Sequence, residues 1–153
     1  MKIKFLISIV VLIFLDQYTK YLVVQNLSLV DIVPVVDNFL NIVLTYNYGI
    51  AFGVFSKLNI PNQHIFLSIF VFLALIFIVS SLLKSFKKDF YSQAAISLII
   101  SGALGNIIDR VRLGYVVDFI DVYIGSWHWP AFNVADSLIF IAVFILLIKG
   151  KNA

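Results

Sequence analysis

The chain has 153 residues, of which 62% are hydrophobic, 16% aromatic and only 12% charged, at a mean hydropathy of +1.06. Soluble domains carry about 25% charged residues, and 15 Phe with this little charge cannot be kept inside a water-soluble globule of such size, which excludes an ordinary soluble enzyme, a disordered tail and a charged interaction arm. A formal charge of +3 rests on two Arg and on Lys placed at the ends of apolar runs, so no basic face exists to hold nucleic acid.

Four apolar stretches are long enough to matter, since a helix needs about 20 residues to cross the hydrocarbon. They run over about 3–24, 65–83, 91–108 and 132–148 of a single membrane domain covering 1–153. The first follows Lys2 and Lys4 and resembles a secretory signal, but no small-x-small cleavage pattern follows it, which predicts an uncleaved first helix. The outer segment from about 25 to 64 has room for structure of its own. Within it Phe39 to Tyr46, rich in β-branched and aromatic residues, predicts a strand. The connection from about Lys84 to Phe90 is a short turn. A second outer segment, about 109–131, holds another predicted strand, Tyr115 to Tyr123, and Trp127 and Trp129 suit the membrane–water boundary.

Lys2, Lys4, Lys84, Lys87, Lys88, Lys149 and Lys151 mark one side as cytoplasmic, leaving Lys20, Lys57, Arg110 and Arg112 for the other. This predicts an all-α core of four transmembrane helices with both termini inside and a small β-sheet on the outer membrane face. Of the eight Asp only Asp89 falls inside.

Ionisable residues in or beside membrane helices are costly, so each is a functional candidate. Asp136 is expected about one turn into the fourth helix, with Asn133 three residues earlier on the same face. Asp118 stands among Val116, Val117, Phe119 and Ile120, with Asp121 on the opposite strand face. Topology puts Asp118 and Asp136 on one side of the membrane, and the segment between them can fold back. If they meet, two close carboxylates hold one proton. One then activates water and the other polarises an amide carbonyl, the chemistry of an aspartic protease, which needs no metal, cofactor or covalent intermediate.

Other polar groups have plainer readings. Gly102 and Gly105 permit close helix contact. Asn106, Asp109 and Arg110 share a face and read as a salt-bridged cluster. Asp16 and Lys20 form an i,i+4 pair in the favourable order. Asn47 lies in a turn with Gly49 and Gly53. The chain has no HExxH, no Cys and no Glu, and His64 and His128 alone make a poor zinc site. Serine schemes built on Ser101 with His128, or on Ser56 with Lys57, lack workable geometry.

Five motifs occur in order: Asp16-Gln-Tyr-Thr-Lys20, Asn47-Tyr-Gly-Ile-Ala-Phe-Gly53, Gly102-Ala-Leu-Gly-Asn-Ile-Ile-Asp-Arg110, Val117-Asp-Phe-Ile120 and Phe132-Asn-Val-Ala-Asp-Ser137. Together they resemble the bacterial lipoprotein signal peptidase (signal peptidase II) family over nearly the whole chain. Ser101 departs from the Gly more often found there. The resemblance implies a multi-pass aspartic endopeptidase of the bacterial cytoplasmic membrane. Its substrates would be prolipoproteins, cut on the amino side of a diacylglyceryl-modified cysteine. Asp118 and Asp136 would be the catalytic pair, and Asn47, Asn106, Arg110 and Asn133 would position substrate or dyad. Asp16 and Lys20 would hold the outer end of helix one. It further implies a monomer with its site at the outer face, embedded in membrane lipids and inhibited by cyclic peptides of the globomycin type. The region from Asn47 to Phe55 is expected to cover the substrate. A small four-helix transporter or channel subunit would instead need acids spread through the membrane depth, and a non-catalytic assembly protein would tolerate Asn at 118 and 136.

Overall fold

The computed structural model describes residues 3–49, 62–85 and 89–150. Lys2, Lys57, Lys87, Lys88 and Lys151, and residues 50–55 of the expected cover, lie outside them. Four helices are described: α1 (Ile3–Asn26), α2 (Gln63–Ser85), α3 (Phe90–Leu113) and α4 (Val134–Gly150). Three of them, α1 to α3, are long and apolar enough to cross a membrane. The fourth has 17 residues, or about 26 Å at 1.5 Å per residue. Large apolar side chains such as Phe66, Phe70 and Phe77 on α2 and Phe140 and Phe144 on α4 are exposed, which suits a lipid surround and would be a liability in water.

The central helix is α3, which packs on α1, α2 and α4. Small residues make that possible. Leu75, Ala95, Ile99, Ala103 and Ala142 form the buried core cluster. A Cβ on Gly102 would collide with the Ala135 carbonyl oxygen and stand 2.7 Å from Ile139 Cγ1. One on Gly105 would stand 2.5 Å from Asp16 Oδ2. The packing role expected of both glycines is met. Ser101 is fully buried, yet its hydroxyl donates to the Ser97 carbonyl oxygen at 2.7 Å, so it packs as one more small residue.

Helix ends differ from the sequence expectation for identifiable reasons. Asp89 caps α3 by accepting from the Ser92 N–H, and Lys149 near the end of α4 reaches Asp89 and Ser92. The helix does not stop near residue 108 but continues to Leu113, where Gly114, at φ 85°, closes it with its N–H on the Arg110 carbonyl. This left-handed cap favours glycine. Asp109 and Arg110 are therefore helical, and the outer segment begins later than expected.

A four-stranded antiparallel sheet, order β1-β2-β3-β4, joins the helices at one end. It comprises β1 (Ile32–Val36), β2 (Leu40–Asn47), β3 (Val116–Ile124) and β4 (Trp127–His128). The two predicted strands are present, each displaced by one residue. β1 was not anticipated; Pro34 confines it to an edge, with a bulge between Pro34 and Val36. Register places Thr45 opposite Asp118 and Asn47 opposite Val116.

Candidate active site

Two strand ladders and one helix start bring Asp118 and Asp136 to the same place. Beyond β3 the chain turns through β4 and returns to bridge Ile120 with Phe132. The N–H groups of Phe119 and Ile120 donate to the Phe132 carbonyl at 2.9 and 2.8 Å. The next residue, Asn133, therefore lies beside Asp118. Asn133 also begins α4: its Oδ1 accepts the Asp136 N–H at 2.9 Å, while its own N–H reaches Asp136 Oδ2 at 3.4 Å. This reciprocal pattern is a capping box. It moves the helix start to Val134, so Asp136 lies within the first turn rather than beyond it as the sequence suggested. A carboxylate there faces the positive end of the helix dipole.

Three amides hold the two carboxyl groups. Asn133 Nδ2 donates to Asp118 Oδ1 at 2.6 Å, Asn47 Nδ2 to Asp118 Oδ2 at 3.0 Å, and Asn106 Nδ2 to Asp136 Oδ1 at 2.8 Å. Each amide is oriented by a donor that has no acceptor role. The Gly49 N–H holds Asn47 Oδ1 at 2.9 Å, the Asp136 N–H holds Asn133 Oδ1, and the Lys20 ammonium holds Asn106 Oδ1 at 2.9 Å. Among the described residues, Asp136 Oδ2 is the one oxygen of the four whose donor stands as far as 3.4 Å. Arg110 reaches over the site, donating to the Gly49 carbonyl at 2.9 Å.

Asp118 is 2% exposed. Burial pushes its pKa up to about 7, the nearby charge of Asp136 adds to the rise, and the hydrogen bonds from Asn47 and Asn133 oppose it. Two such groups titrate as a pair, so the proton held to near neutrality is one they share and belongs to neither carboxyl alone.

Both aspartates line a cleft of about 700 Å³. Asn47, Asn106 and Arg110 complete its polar end, Trp129 and Phe132 form one wall, and Phe140 and Val143 carry it down α4. Asn106 of α3 lies level with Asp136, seven residues before the end of α3 and two after the start of α4, so α3 overshoots the start of α4 by about 7 Å. The polar end of the cleft is thus sunk below the tip of α3, and the rest is apolar.

All eight residues singled out from the sequence therefore belong to one connected site. Asp16 and Lys20 pair at 2.9 Å and join it through Asn106. The Asn106, Asp109 and Arg110 cluster is partly revised: Asp109 pairs with Lys20 at 2.9 Å, whereas Arg110 turns to Gly49. Sequence reasoning missed Gln17, which donates to Asp109 Oδ1 at 2.8 Å and to Asp16 Oδ2 at 3.2 Å. Its place one residue after Asp16, inside the first motif, was the available signal. Also missed was an outer group in which Asp121 accepts from Asn41 at 3.0 Å and meets His128 Nδ1 at 2.8 Å. Among the described residues no three His or Asp side chains converge so as to hold a metal ion.

Comparison with known proteins bears on this geometry. The family model described as signal peptidase (SPase) II matches residues 8–150. A lipoprotein signal peptidase of Syntrophus aciditrophicus is 39% identical over 146 residues, 95% of this chain and 91% of the relative. One from Acinetobacter baumannii is 46% identical over 139 residues, 91% of this chain and 78% of the relative. A bacterial membrane enzyme solved by the in meso method at 2.3 Å resolution superposes with a TM-score of 0.78. It is 36% identical, over 97% of this chain and 88% of the solved one.

Proposed function

The chain belongs to the signal peptidase II family, and we propose that within it Asp118 and Asp136 form the water-activating dyad of an aspartic peptidase. The protein is a multi-pass membrane hydrolase with the function of a lipoprotein signal peptidase. Its substrates on this reading are prolipoproteins bearing a diacylglyceryl thioether on cysteine, cut on the amino side of that cysteine.

The observation that carries the reading is the set of oriented amides around two carboxyl groups at the polar end of an otherwise apolar cleft. Both oxygens of Asp118 face amide N–H donors, which favours its ionised form. Oδ2 of Asp136 has only a long contact with a backbone N–H, so it takes the shared proton. Asp118 then removes a proton from water as the water oxygen attacks the scissile carbonyl carbon, and Asp136 gives its proton to the carbonyl oxygen. Collapse of the tetrahedral adduct re-forms the C=O bond, returns that oxygen's proton to Asp136 and breaks the C–N bond. The cysteine nitrogen leaves as an amine, taking the proton that Asp118 received. Arg110 and Asn47 lie where they can hold the substrate backbone.

Lys4, Lys84 and Lys149 at one end, with the sheet and site at the other, support a four-helix arrangement with both termini inside. On this reading the dyad lies at the outer face of a bacterial cytoplasmic membrane, sunk to the depth where a signal helix ends and two acyl chains begin. The apolar run of the cleft along α4 suits such a substrate, and a cyclic peptide of the globomycin type would compete for it. The reading takes the enzyme to act as a monomer.

Two measurements test this. Purified protein in detergent micelles should cut a diacylglyceryl-modified prolipoprotein and leave the unmodified precursor intact; equal cleavage of both would overturn the substrate class. The pH profile supplies the second. Below about 7 the pair keeps its last proton, and above it both carboxyls are charged and no acid remains to polarise the carbonyl. kcat/KM should therefore fall on the alkaline side with an apparent pKa near 7; a profile flat to pH 9 would contradict the shared proton.

A further inference from the structure

Beneath the dyad lies a cationic hub whose geometry suggests more than structural pairing. The Lys20 ammonium is almost wholly buried, and its three N–H groups have three acceptors: Asp16 Oδ2, Asp109 Oδ2 and Asn106 Oδ1, each at 2.9 Å. Every arm ends at the dyad. Asp16 Oδ1 accepts the N–H of Ala135 at 2.9 Å, one residue before Asp136. Asp109 Oδ2 accepts the N–H of Val117 at 3.2 Å, one residue before Asp118. Asn106 touches Asp136 itself.

We propose that Lys20 is a positioning residue for the catalytic pair: through Asp16 and Asp109 it sets where the two aspartates stand, and through Asn106 it dictates that an N–H faces Asp136. The inference rests on the peptidase reading above. An ammonium can only donate, so it forces the Asn106 oxygen toward itself and the Asn106 nitrogen toward Asp136. Without it the Asn106 oxygen keeps only the 3.1 Å contact from Asn133 Nδ2, a group that already donates to Asp118 Oδ1 at 2.6 Å, and so weakly held an amide can turn its oxygen against the carboxylate, lone pair against lone pair. A hub that served stability alone would be replaceable by apolar side chains at little cost. This one would not be, because α1 otherwise reaches Asn106 with no donor. Among the described residues, Arg110 of α3 is the other charge that acts on both members of the pair, while Asp109 faces the hub.

The test compares Lys20→Met with the double variant Lys20→Met/Asp109→Asn, which restores the hub's original charge balance. Both are assayed on diacylglyceryl-modified prolipoprotein beside wild type, Asp118→Asn and Asp136→Asn. The expected result is a kcat lower by about 10- to 100-fold, with KM within about threefold of wild type and a displaced alkaline limb. Lys20→Gln keeps N–H donors at similar reach and should recover part of kcat; it is also the variant to assay if the apolar ones do not accumulate. An unchanged kcat and pH limb in any folded Lys20 variant overturns the proposal. If the two Asn variants still cleave, the dyad reading itself fails; if they are inactive while the Lys20 variants keep full kcat, only the role of Lys20 does.

Discussion

Replacing either aspartate of the pair with Asn is expected to lower kcat by about 10⁴-fold or more while the protein still accumulates in the membrane, because the amide keeps the shape but cannot exchange the proton. The two variants should not be equally stable. At position 136 an Asn mimics the neutral acid: its oxygen accepts from Asn106, and its NH2 takes the place of Oδ2, which has only the 3.4 Å contact with the Asn133 N–H. At position 118 both oxygens face amide N–H groups, and those amides are held in orientation by the Asp136 and Gly49 N–H groups. An NH2 there must oppose one of them, and a buried polar clash of that kind costs about 1–3 kcal/mol. Cleavage assays together with thermal melts in detergent measure both effects. Retained cleavage in either variant would remove the basis for the dyad, and equal stability would remove the proton from Asp136.

The second large effect concerns the glycines that let α3 approach its neighbours. Gly102→Ala sets a methyl group against the backbone carbonyl of Ala135, and a backbone cannot rotate out of the way. α3 and α4 must separate, at a cost of about 1–3 kcal/mol or more. Gly105→Ala sets its methyl 2.5 Å from Asp16 Oδ2, the oxygen that holds Lys20, so stability and kcat should fall together. Gly125→Ala supplies the contrast: its φ is +60° but nothing lies within 4 Å of the added carbon, so it should cost only about 1 kcal/mol of backbone strain. Melts of the three variants in one detergent rank them. A Gly102→Ala protein as stable as Gly125→Ala would show that the two helices are less tightly apposed than described.

These two sets of variants probe different origins of the site. The aspartates test chemistry at the polar end of the cleft, and the glycines test the packing that brings α1, α3 and α4 close enough to build it. The connection between them is short: Asp16 touches the space over Gly105 and bonds the residue before Asp136.

Composition and hydropathy determined by themselves that this chain lives in a bilayer, because so much apolar surface with so little charge has no other stable solvent. The scarcity of ionisable groups also made Asp118 and Asp136 conspicuous, since a carboxylate beside apolar runs is costly enough to need a reason. The strands at 39–46 and 115–123 were legible from β-branched and aromatic runs, and the five motifs in order carried the family. What the tertiary structure decided was every relation between residues far apart in the chain. Asn133 as a helix cap, Gln17 and Lys20 meeting Asp109 across α1 and α3, and Arg110 turning to Gly49 instead of Asp109 all depend on close packing. An amide or an ammonium reads the same in sequence whether it faces lipid, water or a carboxylate; only the neighbour supplied by folding fixes which atom donates, which accepts and where a proton can rest.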